Sequence, residues 1–365
     1  MRWRTSRPVI ERPLEERIAP GGTVGILGGG QLGRMLAGAA ARLGLKAAIY
    51  DPDPGAPARD VAAWDRIGAW DDAAALRSFA AAVDVVTYEF ENVALSAVDT
   101  VADIAPVRPG RRALEVSQDR LTEKSFLREL GLATAPFVDV PTPSALQGAV
   151  EEIGLPGILK TRRFGYDGKG QVRVTAANPC SEISAPAIYE GHVAFEREIS
   201  VIAARGLDGA VACYDPGENV HEGGILRTTT VPAALPGASQ QEAILAAGRI
   251  LNALDYVGVL GVEIFWAPTA PGGPLVINEI APRVHNSGHW TSAGCLIDQF
   301  EQHIRAICGW PLGDGARHSD AVMTNLLGDE ILTASDLDGA LEIYGKAEPR
   351  PGRKMGHVTR LSPKR

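Results

Sequence analysis

The chain has 365 residues, 45% of them hydrophobic and only 6% aromatic, with a formal net charge of −8. That length bounds two or three domains with ample core, and the acidic balance argues against a nucleic-acid partner, which needs a basic surplus to release counterions. Cys180, Cys213, Cys295 and Cys308 are scattered without a C-x-x-C pair, as reduced cytoplasmic thiols are, and no apolar run approaches the ~20 residues of a membrane span.

Residues 1–20 are rich in Arg, Glu and Pro and lack the apolar run of a secretory signal; they read as an N-terminal extension without an assigned function. Thr23–Leu27 reads as a strand, and Gly28-Gly29-Gly30-Gln31-Leu32-Gly33 follows it. Leu32, Met35, Leu36, Ala39 and Leu43 then recur at helical spacing. Strands at Leu45–Tyr50 and Val83–Tyr88 flank a helix at Asp71–Ala82, an alternation that predicts a parallel sheet covered by helices. Gly28-x-Gly30-x-x-Gly33, with acids Asp51 and Asp53 about 20 residues on, is formally a dinucleotide fingerprint. The same turn can also hold another anion at the helix N-terminus, or hold nothing. Glu89 closes the third strand, either as a ligand contact or as an exposed strand-end acid.

Arg111–Leu130 reads as one helix carrying Arg120 and Lys124, and Gly131 ends it. Strands at Gly157–Arg163 and Val172–Thr175 enclose a hairpin with three glycines, Lys169 and Gln171. Its backbone N–H groups can close over phosphates, although the Walker pattern is absent. Ala187–Glu190 is a strand whose edge, with Gly191-His192-Val193, can offer backbone groups to an adenine. Glu198–Ala204 and Ala210–Tyr214 form a hairpin about Leu207-Asp208-Gly209. A polar segment with His221 and Arg227 follows, then a helix at Gln240–Leu254.

Val257–Trp266 is an apolar strand with one charge, Glu263. Leu275–Glu279 returns antiparallel to it, so Glu263 and Glu279 become cross-strand neighbours. Two adjacent carboxylates repel unless a cation lies between them, and oxygen ligands suit magnesium or manganese. Pro282 ends the strand, and Arg283, His285, Asn286, Ser287 and His289 form a donor-rich run suited to an anion. His285 and His289 are four apart, yet Ser287-Gly288 is poor helix and no third ligand lies near, which opposes zinc. His303, in a helix at Leu296–Ile307, reads as a surface residue; His318 and His357 carry no ligand signal.

Together these motifs resemble the ATP-grasp family, and within it the branch that carboxylates 5-aminoimidazole ribonucleotide in purine synthesis. The resemblance runs from Thr23 to His357. It is carried by Gly28 to Leu36, by Gly165-Tyr166-Asp167-Gly168-Lys169-Gly170-Gln171, by Asn278 to Thr291, and by Arg350 to His357. It implies an α/β and α+β fold: a Rossmann-like parallel-sheet domain over 21–115, an ATP-grasp domain over 116–310 with a lid subdomain at about 135–190, and a small β-rich domain over 311–365. Arg120, Lys160, Gly165 to Gln171, Glu190 to Val193, Glu198, His221, Asn278 and Glu279 match ATP-binding positions. Glu263 and Glu279 match the magnesium ligands. Gln31, Glu89, Tyr166, Asp167, Lys169, Arg283, His285, Asn286, Arg350 and Lys354 match the surroundings of the ribonucleotide, with Arg283, His285 and Lys169 in the chemistry. The implied reaction consumes ATP, bicarbonate and the ribonucleotide in a cytoplasmic homodimer, without nucleic acid or membrane. Motifs for formylating glycinamide ribonucleotide, and the extra catalytic segment of biotin carboxylase, are absent; a nicotinamide oxidoreductase leaves all but the first glycine turn unused. Phe164 replaces a glycine of some relatives and is expected to stiffen the lid entrance.

Overall fold

The computed structural model describes residues 2–3, 17–165, 168–178 and 186–365. The expected parallel sheet is present as Trp64–Ile67, Lys46–Asp51, Thr23–Leu27 and Val85–Tyr88, in that order. Trp64–Ile67 was not legible, because only Trp64 faces apolar neighbours and the rest is exposed. A second sheet holds Phe137–Val140, Ala187–Gly191, Gly157–Thr161 and Gln171–Val174, antiparallel throughout.

The third sheet has ten strands among the described residues and forms the body of the protein. Gly258–Trp266 pairs with Arg197–Arg205 on one side and with Leu275–Ala281 on the other. The polar segment after Tyr214 is itself a hairpin of Gly217–Glu222 and Ile225–Val231. Ile225–Val231 pairs with Ser319–Leu327, which carries the C-terminal strands Lys354–Pro363 and Ala340–Ile343. The C-terminal region thus extends the central sheet.

One apolar core links the parallel-sheet domain to that body. Val24, Leu36 and Ala40 share it with Ile304, Trp290 and Tyr344. At the start of the described body chain, the Ile18 N–H donates to the Cys308 carbonyl at 3.0 Å, and the Trp310 indole donates to the Ile18 carbonyl at 2.7 Å, so residues 17–20 are docked.

Two expectations are corrected by the packing. The segment at Arg111–Leu130 is two helices, Arg111–Ser117 and Arg120–Glu129, because Asp119 leaves helical dihedrals. Its carboxylate caps the second helix by accepting the N–H groups of Leu121 at 3.1 Å and Thr122 at 3.3 Å. The helix expected at Leu296–Ile307 begins at Gln299, capped by Asp298. Within it His303 is 0% exposed, not a surface residue. Its Nε2 lies 2.8 Å from the Thr87 hydroxyl, and its Nδ1 accepts the Val259 N–H at 3.1 Å. His303 thereby pins the parallel strand Val85–Tyr88 to the central sheet.

Burial pushes the His303 imidazole down to about 3 and that of His357 down to about 4. Both stay neutral in the fold and take up protons on unfolding as pH drops below the ordinary value near 6.5. Their contribution to stability is therefore complete above that pH and is lost on acidification towards the folded values. The unfolding free energy is expected to fall from about pH 6.5 to about pH 4.5, and His303→Leu should remove up to ~1.4 kcal/mol per pH unit from that slope. Denaturant unfolding across that range checks this; an unchanged slope in the variant would contradict it.

Candidate active site

The glycine turn is shaped by the chain's own carboxylate. Glu89, at the end of Val85–Tyr88, accepts the N–H of Gly30 at 2.7 Å and of Gly33 at 2.9 Å. A Cβ at Gly28 would lie 2.5 Å from Glu89 Cγ, one at Gly30 2.5 Å from Glu89 Oε1, and one at Gly33 2.7 Å from the Gly28 carbonyl. The glycine spacing thus follows from a tight turn packed on Glu89, which occupies the helix N-terminus where a pyrophosphate would bind. The dinucleotide reading fails on this contact. Glu89 is also buried, which corrects its reading as an exposed strand-end acid. Burial raises its pKa, and the two N–H groups oppose that rise.

Glu263 and Glu279 face each other across the antiparallel pair, with a bulge just after Glu263. Burial and then Glu279 push the Glu263 carboxyl upward. Burial acts the same way on Glu279, but Arg120, Lys160 and Lys124 outweigh it and hold its pKa down. Arg120 Nη1 lies 2.8 Å from Glu279 Oε2, and His285 Nε2 lies 3.2 Å from Glu263 Oε1. Among the described residues no group of three or more His, Cys, Asp or Glu gathers as a metal cage. Two carboxylates facing one another across a strand pair still fit a hard cation that takes its other oxygens from phosphates and water.

Lys160 sits on the neighbouring sheet with Nζ 2.9 Å from Glu190 Oε2 and 3.5 Å from Asn278 Oδ1. Lys124, 0% exposed, lies 3.4 Å from the other Glu190 oxygen. Burial would raise the Glu190 carboxyl, but Lys124 and Lys160 hold it down to about 2. Ala187–Gly191 is an interior strand, not an edge: it pairs on both sides, and the Gly191 and His192 N–H groups already donate to Pro136 and Pro156 carbonyls. On the facing sheet the His221 and Glu198 side chains pair at 2.9 Å.

The glycine hairpin leaves Thr161 and returns at Gln171, closed at its base by the Thr161 N–H donating to the Gly170 carbonyl at 2.8 Å. Gly168 and Gly170 have φ of +76° and +75°. Phe164 has φ of +63° and is 72% exposed, a conformation that strains a bulky residue. Tyr166 and Asp167 lie outside the described residues, and so does Cys180. The stem is tied down by Asp119, which accepts Arg162 Nη2 at 2.8 Å and Arg163 Nε at 3.3 Å.

Beyond the strand end, Arg283 pairs with Glu91. Gln31 opens the helix Gln31–Arg42. Asn286 exchanges amide hydrogen bonds with Asn325 at 3.0 and 2.7 Å. The charge of Lys354, first residue of the last strand, acts on His221, Glu263 and His285. Arg350 is different: its guanidinium lies at the surface, 3.0 Å from Glu348. Lys124, Asp119 and Glu91 act here without having been singled out. The Asp before Arg120 in a helix-breaking position was the signal available for one of them.

A glycine hairpin, two inward lysines and paired strand-end carboxylates between two antiparallel sheets form the arrangement of an ATP-grasp protein. The ATP-grasp domain model matches residues 125–300, the ribonucleotide synthetase preATP-grasp domain matches 22–118, and the phosphoribosylaminoimidazole carboxylase C-terminal domain matches 321–365. The N5-carboxyaminoimidazole ribonucleotide synthase of Brucella melitensis biotype 1 is 54% identical over 358 residues, covering 95% of this chain and 98% of its own. An ADP complex of an N5-carboxyaminoimidazole ribonucleotide synthetase superposes with a TM-score of 0.90 at 40% identity, covering 95% of this chain and 94% of that one. The Aspergillus clavatus enzyme in complex with ADP and 5-aminoimidazole ribonucleotide gives 0.86 at 32% identity, covering 94% of each chain. The chain belongs to the N5-carboxyaminoimidazole ribonucleotide synthase family and is an ATP-dependent ligase.

Glu190→Gln leaves the buried Lys124 and Lys160 without their shared counter-charge. It is expected to cost about 3–5 kcal/mol of stability, visible as a lowered melting temperature; a shift of less than a degree would contradict the balance described here.

Proposed function

We propose that this chain carboxylates 5-aminoimidazole ribonucleotide, using ATP and bicarbonate to give 5-(carboxyamino)imidazole ribonucleotide, ADP and phosphate. The single observation that carries the reading is the Glu263–Glu279 pair, set beside Arg120 and Lys160 on one side and the Arg283–His285 loop on the other. Phosphate chemistry and a second anionic substrate thus meet at one strand end.

In this reading Arg120, Lys160 and the 165–171 hairpin, with Lys169, Gln171 and Asn278, hold the ATP phosphates. Glu190 sets the lysines, the segment from Glu190 through Gly191 and His192 to Val193 meets adenine, and Glu198 with His221 takes the ribose. Glu263 and Glu279 hold magnesium, or manganese in its place. The bound ion supplies neutralisation of charge on the phosphates. A bicarbonate oxygen attacks the γ-phosphorus, the bond to the β-phosphate oxygen breaks, and ADP leaves. The carboxyphosphate so formed, or carbon dioxide released from it, is attacked at carbon by the 5-amino nitrogen; phosphate leaves and the nitrogen loses a proton. Lys160, Lys169 and Arg283 stabilise the transferring group, and closure of the hairpin keeps water from the short-lived intermediate. Burial, then Arg283 and Lys354, hold the His285 imidazole down to about 3. In this reading His285 handles a proton or orients bicarbonate.

The ribonucleotide lies against Gln31, Arg283, Asn286 and Lys354, with Tyr166 and Asp167 from the hairpin. Glu89 acts through the glycine turn. Arg350, paired at the surface, reaches this substrate only if it exchanges Glu348 for the ribonucleotide phosphate. The domain limits that accompany this reading are 21–115, 116–310 and 311–365. A cytoplasmic homodimer completes it; among the described residues no helix is long and apolar enough to cross a membrane.

The test is ADP formation from ATP with bicarbonate and magnesium. Strong stimulation by 5-aminoimidazole ribonucleotide is expected, and none by glycinamide ribonucleotide with formate; the reverse pattern would overturn the reading. Glu279→Gln should abolish ATP turnover, and normal turnover at modest magnesium would refute the metal assignment. Lys354→Ala should raise the KM for the ribonucleotide about tenfold, the ~1.4 kcal/mol of one charge-assisted contact, with ATP affinity nearly unchanged. A loss confined to ATP binding would place Lys354 on the wrong side of the site.

A further inference from the structure

The loop that carries His285 is irregular, yet its ring is held at both nitrogens. Nδ1 lies 2.8 Å from the Ser287 hydroxyl and accepts the Ser287 N–H at 3.4 Å. On the other side of the ring, Nε2 lies 3.2 Å from Glu263 Oε1. The ring is thus held between Ser287 and one carboxylate of the central pair. What fixes the backbone beneath that ring is Gln299.

Gln299 is the first residue of the helix Gln299–Ile307 and is wholly buried. Its Oε1 accepts the His285 N–H at 2.9 Å, and its Nε2 donates to the His285 carbonyl at 2.8 Å. The amide brackets both backbone groups of one residue, as a neighbouring strand would. Its second hydrogen goes to His289 Nδ1 at 3.0 Å, so all its bonding capacity around the loop is committed. The loop lies flat on it: a Cβ at Gly288 would sit 2.6 Å from Gln299 Oε1. Gln299 is itself anchored. Its N–H donates to the Thr291 hydroxyl at 3.1 Å, and the preceding Asp298 pairs with Arg42 of the parallel-sheet domain at 2.8 Å.

We propose that Gln299 is a positioning residue for the carboxylation: its side-chain amide fixes the His285 backbone so that the imidazole Nε2 faces Glu263. It touches no substrate and acts through His285. The inference rests on the function proposed above.

Gln299→Glu and Gln299→Leu test it, with ADP formation measured in the presence of bicarbonate, magnesium and the ribonucleotide, and ADP affinity measured by thermal shift. The kcat of both variants is expected to fall about 10- to 100-fold, as when a supporting partner of a site ligand is lost, while ADP affinity stays within about twofold. A buried glutamate has a raised pKa, and only its protonated form can donate to the His285 carbonyl. Gln299→Glu should therefore recover activity, relative to the wild type, as pH falls from about 8 to about 6, and Gln299→Leu should not. Should the leucine variant fail to fold, the glutamate variant, equal in size to the natural residue, decides alone. A wild-type pH profile in Gln299→Glu, kcat values within about twofold of the wild type, or an equal loss of ADP affinity would overturn the inference. If the wild type itself lacks ribonucleotide-stimulated turnover, the functional reading falls and this inference with it.

Discussion

Glu263 and Glu279 could not face each other across one strand pair without compensation. Each is a partly exposed carboxylate in a largely apolar strand, directly opposite the other. The surrounding structure answers that repulsion with opposite charge. Arg120 and Lys124 come from the helix after Asp119, and Lys160 from the second sheet. Glu190, placed between the two lysines, keeps those cations from repelling each other in turn. The result is a lattice of alternating charge around the two carboxylates. Such a lattice holds reacting groups in place before the reaction begins, which is the cheapest form of electrostatic catalysis.

Pairing across domains turns that lattice into a device that can close. Asp119 ties the stem of the glycine hairpin to the helix bearing Arg120. His303 and Arg42 tie the parallel-sheet domain to the helix whose first residue brackets His285. A single apolar core runs through both regions.

The strand-end motifs were legible because chemistry there violates pattern. An isolated Glu in Gly261-Val262-Glu263-Ile264-Phe265 and a donor-rich run after Pro282 stand out against the apolar pattern around them. The cross-strand placement of Glu263 and Glu279 followed from two apolar runs joined by a turn. Contacts between distant segments were not legible. Glu89 lies 59 residues from the Gly30 N–H it accepts, so the glycine spacing read equally well as a ligand site. Ala187–Gly191 read as an edge because strand order in an antiparallel sheet is not written locally. His303 read as exposed because its partners, Thr87 and Val259, come from two other elements. Asp119 broke a helix whose periodicity continues on both sides, since its carboxylate is drawn to Arg162 and Arg163.

The central claim is that the paired carboxylates exist to hold a cation together with the nucleotide. It is tested most directly by the thermal stabilisation that ADP confers with and without magnesium, in the wild type and in Glu263→Gln. The account predicts that ADP with magnesium stabilises the wild type well beyond ADP alone, and that the variant loses this increment while still responding to ADP. An equal response to ADP with and without magnesium in the wild type would contradict it, and the two carboxylates would then need another reason to face each other.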